Sequence, residues 1–254
     1  MISLKSEKEI KLLQKGGKIL AQVLETVKRK ARPGVSTREL NELAEELILT
    51  AGGAPSFKGY GDRSNPFPAA LCTSVNDEVV HGIPGRYVLK NGDILSLDIG
   101  MRYPSKNGLY TDMAFTMPIG KVNKRTKKLI KVTKKALDLW IKNLKPGKKL
   151  NDIAKIIQIY IEGNGFSIVR DLVGHGVGHA IHEDPQIPNY FIPGFNVELK
   201  EGMVLAFEPM VCEGDYRIKT RKDGWTIVTL DGSLCAHFEH TVAVTKRGGK
   251  VLTK

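Results

Sequence analysis

The sequence predicts an α+β fold built from two related halves, each with two helices followed by antiparallel strands. The amphipathic helical segments are separate from the strand-forming segments, which favours α+β over alternating βαβ units. Paired landmarks recur in the same order in both halves, including a Pro-Gly turn and an acidic residue six positions after a glycine. The composition, 41% hydrophobic and 26% charged, is that of a globular chain and excludes disordered, collagen-like and membrane-spanning proteins.

The first half, about residues 4–120, begins with two helices. Ser6 and Glu9 match a capping box, and apolar residues follow at helical spacing as far as the Pro-Gly turn at 33–34. Ser36 and Glu39 match a second capping box, for a helix that ends at the glycine pair 52–53. Buried strands are predicted at 92–98 and 113–119, joined by a hairpin with its turn at 103–108.

The second half, about residues 121–252, repeats this order. A helix is predicted over 124–144, and a shorter one ends at Gly163. A strand over 202–208 corresponds to the one over 92–98, and Glu239 opens the last strand as Asp112 does in the first half. We therefore expect the two halves to be related by a pseudo-two-fold axis.

The net charge of +12 is concentrated in one segment. Residues 121–155 contain thirteen Lys and Arg but only two acids, so the rest of the chain is nearly neutral. Two interpretations of the lysine-rich helix 124–145 stay open. It is either the solvated face of an amphipathic helix or a surface that binds RNA phosphates.

The N-terminus and the cysteines predict the compartment. The first twenty residues mix acids and lysines and have no apolar signal-peptide core, so we expect a cytoplasmic protein without a membrane anchor. Three widely spaced cysteines favour neither a disulfide framework nor a zinc ribbon. A metal site would therefore use His, Asp and Glu.

Four acidic residues stand at the ends of apolar segments. Asp98 and Glu208 are predicted to end strands, whereas Asp112 and Glu239 are predicted to begin them. Four buried carboxylates would repel one another unless cations compensate them. With one imidazole they form an oxygen-rich ligand set that suits paired Mn, Fe, Co or Zn ions.

Three of the six histidines lie in the glycine-broken stretch 174–182. His175 and His179 have the spacing of a zincin helix, but the glycines between them and the absent glutamate exclude that motif. An extended stretch instead lets His175 reach a metal and His182 reach a substrate. For His179, His237 and His240 we expect structural roles.

Together these segments resemble the type I methionine aminopeptidases over about residues 4–252. The motifs that carry the resemblance are, in family order, His81-Gly-Ile-Pro, Leu-Asp98, Thr-Asp112, Gly-His175-Gly-Val-Gly, Ile-His182-Glu-Asp-Pro, Phe-Glu208-Pro-Met and Phe-Glu239-His-Thr. The resemblance implies the pita-bread fold, a single catalytic domain over 1–254 and removal of the N-terminal methionine from nascent proteins with a small second residue.

The resemblance also assigns residues. Asp98 would bind one divalent metal, His175 and Glu208 the other, and Asp112 and Glu239 both. A hydroxide between two such cations is a nucleophile near neutral pH. His182 would stabilise the oxyanion, His81 would contact the scissile nitrogen, and Glu208 would also transfer a proton. The pocket for methionine would involve Tyr60, Cys72, Ile181 and Trp225.

Other assignments stay open at this stage. The sequence does not decide which metal is bound (Co, Mn, Fe or Zn) or whether a monovalent cation is bound. It also leaves open whether 124–145 contacts the ribosome or rRNA. We expect a monomer. A prolidase or aminopeptidase P is one alternative, although these relatives usually carry an N-terminal domain before the position of Ser6. A pita-bread protein without metal that binds RNA is another, and the complete set of five ligands argues against it.

Overall fold

The computed structural model of the chain describes residues 2–254. Within that range the order is two helices, five strands, two helices and ten strands. The helices are α1 (Glu7–Lys30), α2 (Thr37–Thr50), α3 (Lys124–Asn143) and α4 (Leu150–Gly163). The strands before α3 are β1 (Ala54–Pro55), β2 (Leu71–Val75), β3 (Glu78–Val80), β4 (Ile94–Tyr103) and β5 (Leu109–Pro118). The strands after α4 are β6 (Ser167–Ile168), β7 (Gly174–Gly176), β8 (Glu183–Ile187), β9 (Val204–Phe207), β10 (Met210–Cys212), β11 (Ile218–Thr220), β12 (Ile227–Thr229), β13 (Cys235–His237), β14 (Glu239–Thr245) and β15 (Gly248–Val251).

The helix starts follow the sequence closely. Both predicted capping boxes are present, with the Ser6 and Ser36 hydroxyls accepting from the backbone of Glu9 and Glu39. Each such cap stabilises its helix by about 1 kcal/mol. The helix α3 is capped instead by Asn123, whose side chain accepts from the backbone N–H of Thr126. No helix among the described residues is long and apolar enough to cross a membrane.

A nine-stranded sheet forms the centre of the molecule. Its main path is β1-β4-β5-β14-β9-β7-β8, with β2 paired to β4 and β15 paired to β14. The strand pairs between named strands of the described chain are all antiparallel. The remaining strands form two small sheets, β13-β10-β6 and β11-β12-β3. The predicted α+β class is therefore confirmed, whereas the boundaries of the two halves stay a prediction.

The pairing of β5 with β14 joins the strands of the first half to those of the second. Glu239 is opposite Ala114, and His240 is opposite Met113. Because successive side chains of a strand point to opposite faces, Asp112 and Glu239 share one face of the sheet, and Met113 and His240 the other. This one pair of strands therefore brings acids from distant parts of the sequence together.

The helices pack against the sheet through two apolar cores. Residues of α1 and α2 pack with those of β2 and β4, including Leu24 and Leu97. Residues of α3 and α4 pack with those of β9 and β14. In this second core the ring centroids of the fully buried Trp140 and of Phe207 are 4.8 Å apart. Trp140 Nε1 also donates to Asn189 Oδ1 at 3.0 Å, and Asn189 Nδ2 donates to the Glu208 carbonyl at 3.2 Å. The second core thus fixes the backbone of Glu208.

Candidate active site

Five side chains that the sequence predicts as metal ligands line one pocket. Asp98 lies on β4, Asp112 on β5 and His175 on β7, while Glu208 directly follows β9 and Glu239 is the first residue of β14. Five separate chain segments thus supply one cluster, which the long-range strand pairing assembles.

The positions of Asp98 and Asp112 within their strands differ from the prediction. Neither residue stands at a strand end, because β4 and β5 pair continuously from Ile94 opposite Pro118 to Tyr103 opposite Leu109. Gly100 is opposite Asp112 in this ladder. Residues 99–103 and 109–112 are extended because they pair along this ladder, and the local sequence pattern did not reveal that pairing.

The carboxylates are buried and lack ordinary partners. Asp98 is 8% exposed, Asp112 3% and Glu239 2%. Asp98 Oδ1, Asp112 Oδ1 and Glu239 Oε1 have no hydrogen-bond partner. Leaving a buried carboxylate oxygen unpaired is costly, so these oxygens are placed to accept a group from outside the chain.

Burial changes the protonation of the acids. It raises the pKa of Asp98 to about 7, and burial followed by repulsion from neighbouring carboxylates raises the pKa of Asp112 and Glu239 well above the ordinary range. Burial, followed by repulsion from Asp98, raises the pKa of Glu208 in the same direction. The cluster therefore holds protons when it has no cation.

His175 presents one ring nitrogen to the acids. Its Nδ1 lies 2.9 Å from the Gly176 carbonyl oxygen, while its Nε2 lies 3.5 Å from Glu208 Oε1 and 4.0 Å from Glu239 Oε1. Burial lowers the pKa of His175 to about 3, which keeps the ring neutral. A neutral imidazole whose Nδ1–H donates to a backbone carbonyl has a free lone pair on Nε2, as a metal ligand requires.

The residues present fit a metal centre. Asp112, His175 and Glu239 each offer a ligand atom, and these atoms lie within 4.8 Å of one another. Carboxylate oxygens with one imidazole nitrogen suit divalent transition metals. The unpaired oxygens and the raised carboxyl pKa values are what such an ion would compensate.

Two further histidines border the same pocket. The His182 ring lies 4.4 Å from the His175 ring, and its Nδ1 lies 2.6 Å from the Tyr60 hydroxyl oxygen. His81 has a backbone φ of 57°, a left-handed conformation that costs a non-glycine residue about 1–3 kcal/mol. Burial lowers the pKa of both histidines, that of His81 to about 4. Both rings are therefore neutral at pH 7.

An apolar wall faces the acids. Tyr60, Cys72 and Trp225 line the pocket, which has a volume of ≈ 70 Å³. Ile181 packs in the apolar cluster with Cys72 but does not itself line the pocket. Phe57 and Phe67, which the sequence did not single out, complete the wall. They lie in a turn-rich stretch without periodicity, so no sequence pattern indicated them.

His237, for which a structural role is expected, lies close to the acids. It is 1% exposed, its Nε2 lies 3.6 Å from Glu208 Oε2, and neither ring nitrogen has a hydrogen-bond partner. His237 and Glu239 are two residues apart, which is the spacing of side chains on one face of an extended chain. That spacing is the sequence feature that indicates a position near the acids for His237. His179 and His240 lie outside the pocket, bonded to Ser3 and Glu9 and to Thr253 respectively.

Comparison with known proteins shows the family of the chain. The model of the family described as Metallopeptidase family M24 matches residues 11–246. A methionine aminopeptidase of Clostridium perfringens is 50% identical over 254 residues, which cover 100% of this chain and 99% of the relative. The chain belongs to the methionine aminopeptidases of this family. The crystal structure of methionine aminopeptidase from Thermotoga maritima matches with a TM-score of 0.94 at 47% identity, covering 100% of both chains.

Solved structures at lower sequence identity share the fold. Prolidase from Pyrococcus furiosus matches with a TM-score of 0.78 at 23% identity, covering 99% of this chain but 65% of that one. At that identity the likeness shows the fold alone. With the methionine aminopeptidase structure, it confirms the pita-bread fold that the sequence resemblance implied.

Proposed function

We propose that this methionine aminopeptidase relative removes the N-terminal methionine from polypeptides whose second residue is small. One observation carries the proposal: a buried cluster of four carboxylates and one imidazole lies in the same pocket as an apolar aromatic wall and two neutral histidines. The wall can take an apolar side chain, while the acids and histidines surround the place for the adjoining peptide bond.

The proposed cofactor is a pair of divalent cations. Asp98 would hold one, His175 and Glu208 the other, and Asp112 and Glu239 both. When bound, such ions supply an activated water and Lewis-acid stabilisation of negative charge. Co, Mn, Fe and Zn all suit these ligands, and a monovalent cation stays open, so elemental analysis of the purified protein decides the identity.

The histidines of the chain would act on the peptide bond. Because the Tyr60 hydroxyl occupies His182 Nδ1, the ring nitrogen left for the substrate is Nε2, which can donate to the oxyanion. His81 would contact the scissile nitrogen, and the Glu208 carboxyl would transfer a proton to it. Neutral rings suit these roles because they donate hydrogen bonds without adding charge beside the cations.

Selectivity for methionine would come from the apolar wall. Phe57, Tyr60, Phe67, Cys72 and Trp225 present aromatic and sulfur-containing surface. The Trp225 ring is held by a hydrogen bond from its Nε1 to the Asn65 carbonyl at 2.9 Å and by an edge contact with Phe67. A flexible thioether packs well against such surfaces.

A peptide panel tests the function. Purified protein reconstituted with each candidate metal is incubated with Met-Ala-Ser, Met-Leu-Ser and Ala-Pro-Ala, and products are measured by mass spectrometry. Cleavage of Met-Ala-Ser, weak cleavage of Met-Leu-Ser and an intact Ala-Pro-Ala support the proposal. Cleavage of Ala-Pro-Ala alone would instead assign a prolidase-type activity. No cleavage by any reconstituted form would favour a binding protein.

We also propose that α3 contacts ribosomal RNA near the emerging chain. Most of its exposed lysines have no hydrogen-bond or ion-pair partner among residues 2–254, whereas Lys128 Nζ donates to the Asn164 carbonyl at 2.8 Å. Lys127, Lys131 and Lys135 follow one another at four-residue steps along the exposed side. Such a row can neutralise several phosphates in a salt-dependent manner.

Ribosome co-sedimentation at increasing salt tests this contact. Replacing Lys127, Lys131 and Lys135 with Glu is expected to abolish binding, whereas the same change at Lys8, Lys11 and Lys18 of α1 is the matched control. Equal binding of both variants, or binding unaffected by salt, would contradict the contact. The monomeric state and the cytoplasmic location stay predictions.

A further inference from the structure

The first residues of the chain lie against the loop that leads to His182. We call residues 3–9 the N-terminal strap and residues 177–182, between β7 and β8, the histidine loop. The Lys5 backbone N–H donates to the Gly202 carbonyl at 2.7 Å, which fixes the strap to the body of the protein. His179 of the histidine loop contacts the strap twice, through Ser3 Oγ at 3.2 Å and Glu9 Oε1 at 2.6 Å.

Lys5 is the buried centre of this contact. Its side chain is 1% exposed, and its Nζ lies 2.5 Å from Glu183 Oε2. The aliphatic part of the side chain passes directly over Gly178, where a Cβ atom would lie only 2.5 Å from Lys5 Cε. A lysine is almost never fully buried unless it is paired, so both the ion pair and the glycine are needed for this arrangement.

Glu183 connects this ion pair to the histidine loop. While Oε2 faces Lys5, Oε1 accepts from the backbone N–H groups of His179 at 2.5 Å and Ala180 at 2.9 Å. Glu183 is the first residue of β8 and directly follows His182. The Glu183 carboxylate thus accepts from two backbone N–H groups that precede His182 in the chain. Glu183 itself follows His182 as the first residue of β8, so the backbone is held on both sides of His182.

Glu183 supports the part of the histidine loop nearest to His182. The start of the loop is held separately, since the Val177 N–H donates to the Val204 carbonyl at 3.0 Å and the Gly178 carbonyl accepts from the Tyr110 N–H at 2.7 Å. Gly176 and Gly178 flank its start, and glycine has the greatest conformational freedom of any residue. Tyr60 forms a hydrogen bond with the ring of His182. The position of that ring also depends on the backbone of His182, which must be fixed as well. A buried ion pair adds little net stability. The effect we expect from the Lys5–Glu183 pair is therefore to fix the geometry of the histidine loop.

We propose that Lys5 and Glu183 are positioning residues that hold His182 in its reactive orientation. The proposal rests on the proposed function, because it assigns their effect to the step in which His182 stabilises the oxyanion. Lys5 acts through Glu183, and Glu183 acts through the backbone of the histidine loop. Neither residue lines the pocket that contains the acids, although Glu183 borders the adjoining cavity beside His182.

Substitution of Lys5 with a matched control tests the role. Lys5→Met keeps the aliphatic part but removes the charge, and we expect kcat on Met-Ala-Ser to fall about 10- to 100-fold, as for a catalytic group displaced by about 1 Å. We expect KM to change less than about twofold, because His182 acts in the transition state. Lys5→Arg keeps a cation and is expected to recover most of kcat. Lys8→Met, on the exposed side of the same segment, is expected to match the wild type.

A double-mutant cycle separates positioning from general stability. In a His182→Ala background, Lys5→Met is expected to change the residual kcat less than about twofold, because its effect passes through the missing ring. Metal content and melting temperature are measured for every variant. If Lys5→Met does not fold, Glu183→Gln replaces it in the same cycle, with the same expectation.

The outcomes are distinguishable. If the wild type does not cleave Met-Ala-Ser, the proposed function is wrong. If the wild type cleaves it and Lys5→Met keeps full kcat, or if the losses from Lys5→Met and His182→Ala multiply, only the positioning role is wrong. A loss explained entirely by lower metal content would likewise overturn it.

Discussion

The hydroxyl oxygen of Tyr60 lies 2.6 Å from Nδ1 of His182, and the two rings meet edge to face. Tyr60 comes from the irregular segment after β1, whereas His182 precedes β8. A residue expected only to line the methionine pocket is therefore also a hydrogen-bond partner of the proposed oxyanion-stabilising group.

This relationship predicts the effect of Tyr60→Phe. Removal of the hydroxyl leaves the ring in the pocket but frees His182 to adopt either tautomer. We expect kcat on Met-Ala-Ser to fall by about fivefold, with KM nearly unchanged, because one hydrogen bond of about 1 kcal/mol is lost. Steady-state kinetics measures both constants. An increase in KM with unchanged kcat would place Tyr60 in methionine binding alone.

Removal of a proposed ligand is expected to abolish activity. Asp98→Ala and Glu239→Ala each take away a buried carboxylate that no other residue replaces, and we expect at least about a thousandfold loss of kcat/KM together with a lower metal content, because the ions supply several kcal/mol of transition-state stabilisation. Elemental analysis and peptide assays at saturating metal check this. Near-normal turnover with metal restored would contradict the assignment.

Metal affinity is expected to weaken as the pH falls. Burial raises the pKa of Asp98 from 3.8 to about 7, so below pH 7 the metal-free site binds a proton that the ion must displace. Each displaced proton weakens the apparent affinity by up to about tenfold per pH unit below the pKa of its carboxyl group, and the contribution of Asp98 disappears above about pH 7. Calorimetry from pH 6 to 8 in buffers of different ionisation enthalpy measures the proton release. An affinity independent of pH would contradict the prediction.

His237 is expected to matter for activity although the sequence suggested a structural role. Neither nitrogen of its buried ring has a hydrogen-bond partner, and Nε2 lies 3.6 Å from Glu208 Oε2. We expect His237→Ala to lower kcat by about tenfold, because the proposed proton-transfer group loses a neighbour that helps to fix its orientation. His240→Ala, on the other face of the sheet, is the matched control. Similar kinetics for the two variants, after correction for folded fraction, would return His237 to a structural role.

Local chemistry made much of the fold predictable. The capping boxes at Ser6 and Ser36 fix two helix starts because their signals lie within four residues. The ends of β4 and β5 nearest the turn were not predictable in this way. Residues 100–103 and 109–112 are strands because they pair with each other, and that pairing has no local signal. The residues of the site were predictable where an acid interrupts an apolar run, as at Asp98. Phe57 and Phe67 were not, because only the tertiary fold brings that irregular segment to the pocket.

The β4–β5 ladder has a consequence for how this protein can vary in length. Gly100 is paired with Asp112, and Asp98 is paired with Ala114. Asp98 and Asp112 therefore keep their relative positions however many residue pairs lie between the Gly100–Asp112 pair and the turn. The turn at 104–108 is therefore a site where residues can be gained or lost in pairs, whereas a single-residue change inside the ladder would turn Asp112 to the opposite face of the sheet. A designer seeking to graft a short peptide onto the molecule would choose this tip and leave the strands below it unchanged.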